Sequence, residues 1–195
     1  LDNKVDQWCY FQNGIEIYRD LDTDFNGKAD QYRWLGTSGS KWGLDEDEDG
    51  RIDRWKAISP EEVTAEVVAA IRERDAARFR RVLLTDRELA ALGLGSAQLE
   101  DLGQRIRTAQ SGFASAAAQQ RGVGPKSKWI HFGATRPGIV PAGTDGSKKD
   151  LMIYDNVSAV IETEGKHGQL SIGTLVQVDQ GWRVIDLPRP DSSGG

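Results

Sequence analysis

One cysteine, two histidines and one methionine are all the sulfur and imidazole that this 195-residue chain carries. With Cys9 alone, an internal disulfide, a cysteine-based zinc site and a Cys-x-x-Cys redox pair are excluded. The chain has no Gly-x-Ser-x-Gly elbow, no His-Glu-x-x-His and no phosphate-cradling glycine loop, so few parts remain for an enzyme. No apolar run reaches membrane-spanning length. Basic residues are outnumbered 25 to 30, and no basic patch interleaves with aromatics, which disfavours nucleic acid as a partner. Up to residue 56 the chain holds thirteen acids and eight bases, leaving seventeen of each beyond. The whole net charge of −5 therefore belongs to the first part of the chain.

That acidic part is periodic. Asp2-Asn3-Lys4-Val5-Asp6-Gln7-Trp8, Asn26-Gly27-Lys28-Ala29-Asp30-Gln31-Tyr32 and Asp49-Gly50-Arg51-Ile52-Asp53-Arg54-Trp55 are three copies of one pattern. Alternating acids precede two of them, Asp22-Thr23-Asp24-Phe25-Asn26-Gly27 and Asp45-Glu46-Asp47-Glu48-Asp49-Gly50. A calcium ion takes six to eight oxygens, and a loop wraps it by presenting alternate side chains, then a glycine turn, a backbone carbonyl and one more side chain. The expected ligands are Asp22, Asp24, Asn26, the Lys28 carbonyl and Asp30 in the first loop. In the second they are Asp45, Asp47, Asp49, the Arg51 carbonyl and Asp53. Where an EF-hand ends on a bidentate Glu, these loops hold Arg33 and Lys56, so the expected affinity is weak, about 10⁻⁴–10⁻³ M. Asp20 or a neighbouring repeat is the expected source of the missing oxygen. Asp, Asn and Gly are also ordinary turn residues, but two loops in matching register favour a cation over plain turns.

No helix flanks the loops, because Gln31–Leu35 and Arg54–Ile58 alternate as strands do. Asn13-Gly14 between alternating segments signals a hairpin. The run from Trp8 to Asp20, followed by Asp22 to Trp34, resembles bacterial secreted repeats built as strand, Asn-Gly turn, strand and Asp-rich loop. Similar loops occur in thrombospondin type 3 and dockerin-like modules. The resemblance covers roughly residues 1–58 and implies calcium-stiffened β-hairpin repeats in a protein that works in the periplasm or outside the cell. Because the first copy lacks its acidic half, the chain is expected to start inside a repeat. Four of the six tryptophans (Trp8, Trp34, Trp42, Trp55) fall here and are expected to pack rather than bind sugar. Cys9, in an aromatic strand, is expected to be buried.

A second segment, 59–188, begins at Ser59-Pro60-Glu61-Glu62, where Ser59 is a natural N-cap and Glu62 completes a capping box. Val63, Val67 and Ile71 recur at helical spacing, Asp75 caps a continuation through Phe79 and Val82, and Thr85 with Glu88 opens another turn. From Ser96 a long helix carries Leu99, Leu102, Ile106, Ala109, Phe113 and Ala116 as a core stripe. Strands follow at Lys128–Phe132, Leu151–Thr163, Gln169–Val178 and Trp182–Leu187, the last two joined at Asp179-Gln180-Gly181. Ala134–Lys149, between the first two, reads as an exposed connecting loop, with a lid or partner-binding segment as the alternative. Helices followed by an antiparallel meander predict an α+β layer.

The helix 63–84 with its Arg-Asp break and the closing Gly-Trp-Arg-Val-Ile-Asp resemble the nuclear transport factor 2-like superfamily. That resemblance implies a curved sheet wrapped as a cone, with a pocket that serves dehydratases, isomerases or hydrolases in some members. Candidate pocket residues would then be His131, Tyr154 and Arg183, with Asp155, Glu162 and His167 behind them; His167 itself reads as a solvated turn residue. No constellation among them signals catalysis. Residues 189–195 read as a linker towards neighbouring domains. The sequence thus predicts a non-enzymatic calcium-binding module joined to an α+β domain. The competing expectation is a small-molecule or enzymatic pocket in that domain.

Overall fold

The computed structural model describes residues 4–36, 39–179 and 181–190. It divides into two compact units, Leu1–Ser59 and Pro60–Gly195. The described residues hold four helices and two antiparallel sheets, the α+β architecture expected.

The first unit is a meander of β1 (Gln7–Gln12), β2 (Ile15–Leu21), β3 (Gln31–Gly36), β4 (Gly39–Leu44) and β5 (Arg54–Lys56), hydrogen-bonded in that order. Asn13 and Gly14 turn between β1 and β2 with φ of 52° and 78°, the left-handed pair that a two-residue hairpin demands. Period-two alternation sorts the side chains by face. Tyr10, Tyr18 and Trp34 stand opposite one another across β1–β3, and their rings pack with those of neighbouring strands. Centroids lie 5.3 Å apart for Tyr10–Tyr18, 4.8 Å for Tyr18–Trp34 and 5.4 Å for Trp34–Trp55. On the other face Cys9, Arg19, Arg33, Trp42 and Lys56 share a rung. Trp42 lies between two cations, with the Arg33 guanidinium 3.8 Å and the Lys56 ammonium 3.9 Å from its ring. The aromatics do pack, but against one another along a sheet face, so Tyr10, Trp34 and Trp55 stay exposed. Cys9 is exposed too, contrary to expectation, because it sits on β1, which pairs with β2 alone among the described strands.

The second unit packs α1 (Pro60–Glu73), α2 (Ala76–Val82), α3 (Asp86–Ala91) and α4 (Ser96–Gln119) on a six-stranded sheet that curls into a half-barrel. Helix boundaries follow the caps. The Asp75 carboxylate accepts from the N–H groups of Ala77 and Arg78 to start α2, and Thr85 and Glu88 form a reciprocal capping box on α3. Val63, Val67, Val68, Phe79, Ile106, Ala109 and Phe113 are buried in the core.

The long hairpin β8 (Leu151–Thr163) and β9 (Lys166–Val178) forms the spine of the sheet. Its two-residue turn, Glu164-Gly165, leaves Lys166 and His167 inside β9 rather than in the turn. β6 (Lys128–Gly133) and β7 (Gly138–Val140) pair with opposite ends of β8, while β10 (Gly181–Val184) and β11 (Arg189–Pro190) pair with β9. Two expectations change here. The connection Ala134–Lys149 is not a plain loop, since it contains β7 and a 3₁₀ turn at Thr144–Gly146. The stretch read as a tail begins with β11, where Arg189 stands opposite Ser171; residues 191–195 lie outside the described residues. Gln180, read as the middle of the last turn, also lies outside them.

The sheet bends where the β8–β9 register breaks between Tyr154 and Val157, with Asn156 at φ 53° and Gly173, on β9, at φ 97°. A Cβ on Gly173 would lie 2.5 Å from both Cβ and Oδ2 of Asp186. That carboxylate accepts from the Thr174 N–H at 2.7 Å and from Arg105 of α4 through two guanidinium nitrogens at 2.7 and 3.0 Å. Gly173→Ala combines a left-handed backbone penalty with overpacking of a fixed side chain. It is expected to destabilise this unit by about 3 kcal/mol in urea unfolding. An unchanged midpoint would show that Asp186 can move aside.

Candidate metal loops and an apolar cavity

The connections 22–30 and 45–53 close in the same way. Asp30 N–H bonds to the Leu21 carbonyl and Asp53 N–H to the Leu44 carbonyl, both at 2.9 Å, forming the neck of each loop. Asp22 N–H bonds to Asp6 O and Asp45 N–H to Asp30 O, again at 2.9 Å, which ties each loop to the matching place in the repeat before it. Gly27 (φ 96°) and Gly50 (φ 84°) supply the left-handed turn. In both loops the residue two places before the glycine is also left-handed, Phe25 at 64° and Glu48 at 56°. The repeat seen in the sequence is thus a repeat of backbone geometry.

Each loop gathers carboxylates. Ligand oxygens of Asp22, Asp24 and Asp30 lie within 4.8 Å of one another, and so do those of Asp45, Asp47 and Asp49. The first acid of each loop is turned inside, with Asp22 3% and Asp45 1% exposed. Backbone N–H groups serve as their donors. Asp22 accepts from Asn26 N–H at 3.2 Å and Gly27 N–H at 2.6 Å, Asp45 from Asp49 N–H at 3.2 Å and Gly50 N–H at 2.9 Å. The Tyr32 hydroxyl lies 3.3 Å from both Asp45 Oδ2 and the Ala29 carbonyl.

The remaining expected ligands are placed as follows. The Asn26 side-chain oxygen accepts from Lys28 N–H at 2.9 Å, and Asp49 Oδ1 accepts from Arg51 N–H at 2.8 Å, so Lys28 and Arg51 brace the turn through their amides. Asp30 takes Thr23 N–H at 2.7 Å, and Asp53 takes Glu46 N–H at 2.7 Å. Asp30 also belongs to its carboxylate cluster; Asp53 is outside the second one. Sequence reasoning missed Glu48, whose carboxylate crosses to the first loop. It accepts from Asn26 Nδ2 at 2.6 Å and lies 3.7 Å from Lys28 Nζ. The signal was its place between Asp47 and Asp49, where alternation turns it away from its own loop.

Burial alone would raise the carboxyl of Asp22, but the N–H bonds from Gly27 and Asn26 outweigh it and hold the group below the ordinary Asp value of 3.8. A depressed native value means the contribution is present above 3.8 and is lost as pH falls through the lower native value. Calcium-free protein is therefore expected to lose stability in this unit on acidification below 3.8, and Asp22→Asn is expected to flatten that dependence in melting curves. Parallel pH profiles for the two proteins would contradict this. The Tyr32 hydroxyl is raised, first by burial and then by the nearby Asp45 charge, which keeps it a proton donor.

The second unit contains a cavity of about 700 Å³ lined by residues of α4, β8 and β9, with Val140 and Asp145 also in the lining. His131, Tyr154 and Arg183 do not line it. His131 is exposed on β6, past a register shift after Trp129. Tyr154 is held between Phe132 and Trp182, at 5.3 and 4.9 Å between ring centroids. Arg183 donates to Glu88 of α3 at 2.9 Å. Asp155 is the one sequence candidate found in the lining. Among the residues missed, Gln98, Asp101 and Arg105 recur along one side of α4, a spacing that reads in sequence as a solvated face.

Comparison with protein-family models, with curated proteins and with solved structures found no match to this chain. The fold and these sites therefore define it: an α+β protein with two acidic loops able to hold metal ions. Among the described residues no helix is long and apolar enough to cross a membrane.

Proposed function

We propose that the Leu1–Ser59 unit binds two calcium ions, one in each Asp-rich loop, and that the chain is a non-enzymatic structural and binding module of a secreted or periplasmic bacterial protein. One observation carries this reading: two successive loops with the same backbone closures each bring three carboxylate ligand atoms within 4.8 Å. Like charges gathered that closely repel, and a divalent cation with oxygen preference turns the repulsion into binding. Because the unfolded chain lacks the assembled ligands, ion binding adds to folding free energy and stiffens the sheet at its loop end. Glu48 extends the proposal, since its carboxylate reaches the first loop, which like the second has no acid at the twelfth position.

Terbium, a luminescent calcium surrogate, tests the reading. Excitation of nearby tyrosine and tryptophan is expected to sensitise bound terbium, with calcium displacing it and magnesium doing so poorly. Glu48→Gln is expected to weaken the first site while leaving the second intact. Terbium emission that calcium cannot displace would count against calcium sites.

A further inference from the structure

The cavity of the second unit has apolar walls, among them Leu94, Leu102, Leu151, Ile153 and Ile185. Its charged groups are mainly acidic. Asp101, Asp145 and Asp155 contribute carboxylates, and among the described residues Arg105 is the only cationic side chain in the lining. Arg105 is partly committed: Asp186 accepts from two of its guanidinium nitrogens at 2.7 and 3.0 Å, while its third nitrogen lies 3.9 Å from Asp101, beyond hydrogen-bond distance. Lys148 and Lys149, just beyond the 3₁₀ turn, do not line the space. Thr174, whose hydroxyl accepts from Arg105 at 3.2 Å, and Gln98 complete the polar set. The Gln98 Nε2 donates to Asp145 Oδ2 at 3.1 Å, while its Oε1 is shielded from solvent and receives no hydrogen bond. Among the described residues the lining sets three carboxylates against one guanidinium, so its net charge is negative.

We propose that this cavity binds an apolar molecule bearing a protonated amine. The aliphatic or aromatic body would occupy the walls, in a space of the size that holds small ligands. The ammonium would donate to the acidic groups. An anionic head of the same length would meet three carboxylates and an arginine already paired. This inference is independent of calcium binding in the first unit.

The test uses the full chain in calcium-containing buffer, with n-octylammonium chloride, sodium octanoate and 1-octanol as matched probes. Affinity is measured by calorimetry, and the location by methyl NMR shifts of Leu94, Leu102, Ile153 and Ile185. Octylammonium is expected to bind about tenfold more tightly than octanoate, because like-charge juxtaposition is penalised. Asp155→Asn, at an exposed position, is expected to weaken octylammonium about three- to fivefold and leave octanol unchanged. Ala97→Trp, at an exposed lining position, is expected to block every probe. The proposal is overturned if octanoate binds as well as the amine, if saturating octylammonium moves none of those methyls, or if Asp155→Asn leaves the amine-to-alcohol ratio unaltered.

Discussion

Phe79→Ala is expected to cost the second unit about 3–5 kcal/mol. Phe79 of α2 and Phe113 of α4 are both buried, and their rings stack with centroids 4.2 Å apart and planes 11° from parallel. Removing one ring forfeits its transfer free energy and leaves a void that the other ring, held by its own helix, cannot fill. All the described helices belong to this unit, so far-UV circular dichroism during urea unfolding reads the effect directly. Phe113→Leu, which keeps most of the volume, is expected to cost less than half as much as Phe79→Ala. The double alanine variant should cost less than the sum of its parts, since both single changes break the same contact. A loss below about 1 kcal/mol for Phe79→Ala would mean that α2 and α4 can close the gap, contrary to the packing described.

Asp45→Ala is expected to remove calcium from the second loop and spare the first. Asp45 stands at the first ligand position, is almost wholly buried and anchors the turn through the N–H groups of Asp49 and Gly50. Loss of groups that merely orient a ligand costs about 10–100-fold in metal affinity, and removal of a direct ligand should exceed that. Without calcium, two effects oppose one another. The turn loses charge-assisted hydrogen bonds of about 2–3 kcal/mol, while Asp47 and Asp49 are relieved of a like charge. In saturating calcium only the loss remains. The variant should therefore differ from the parent far more in calcium than in chelator, with binding stoichiometry reduced from two to one. An equal thermal shift on calcium addition in parent and variant would show that Asp45 serves only the turn.

Much of this architecture was legible because local chemistry and tertiary role coincide. Asp75, Thr85 and Glu88 start helices where capping logic places them, and Asn13-Gly14 turns where only left-handed residues fit. The acidic alternation in the loops survives as clustered carboxylates because that spacing is itself a backbone geometry. Legibility ended where a side chain's neighbours come from distant sequence. His131, Tyr154 and Arg183 were grouped by residue type, but the register shifts in β6 and β8 reassign faces that simple alternation would give. The cavity depends on how α4 lies over the bent hairpin, and the bend depends on Gly173 accepting Asp186 against its backbone. No short window of sequence encodes that. β7 was hidden for a similar reason: Gly138–Val140 has a strand's order only because β8 offers it an edge.

The most direct test of the central claim is a calcium titration by calorimetry on chelator-stripped protein, with a melting curve at each end point. The account predicts saturable heat approaching two equivalents, dissociation constants of about 10⁻⁴–10⁻³ M and a higher melting temperature in calcium. No heat and no thermal shift at several times those concentrations would contradict it, and the two loops would then be acidic turns whose carboxylates serve only their own backbone.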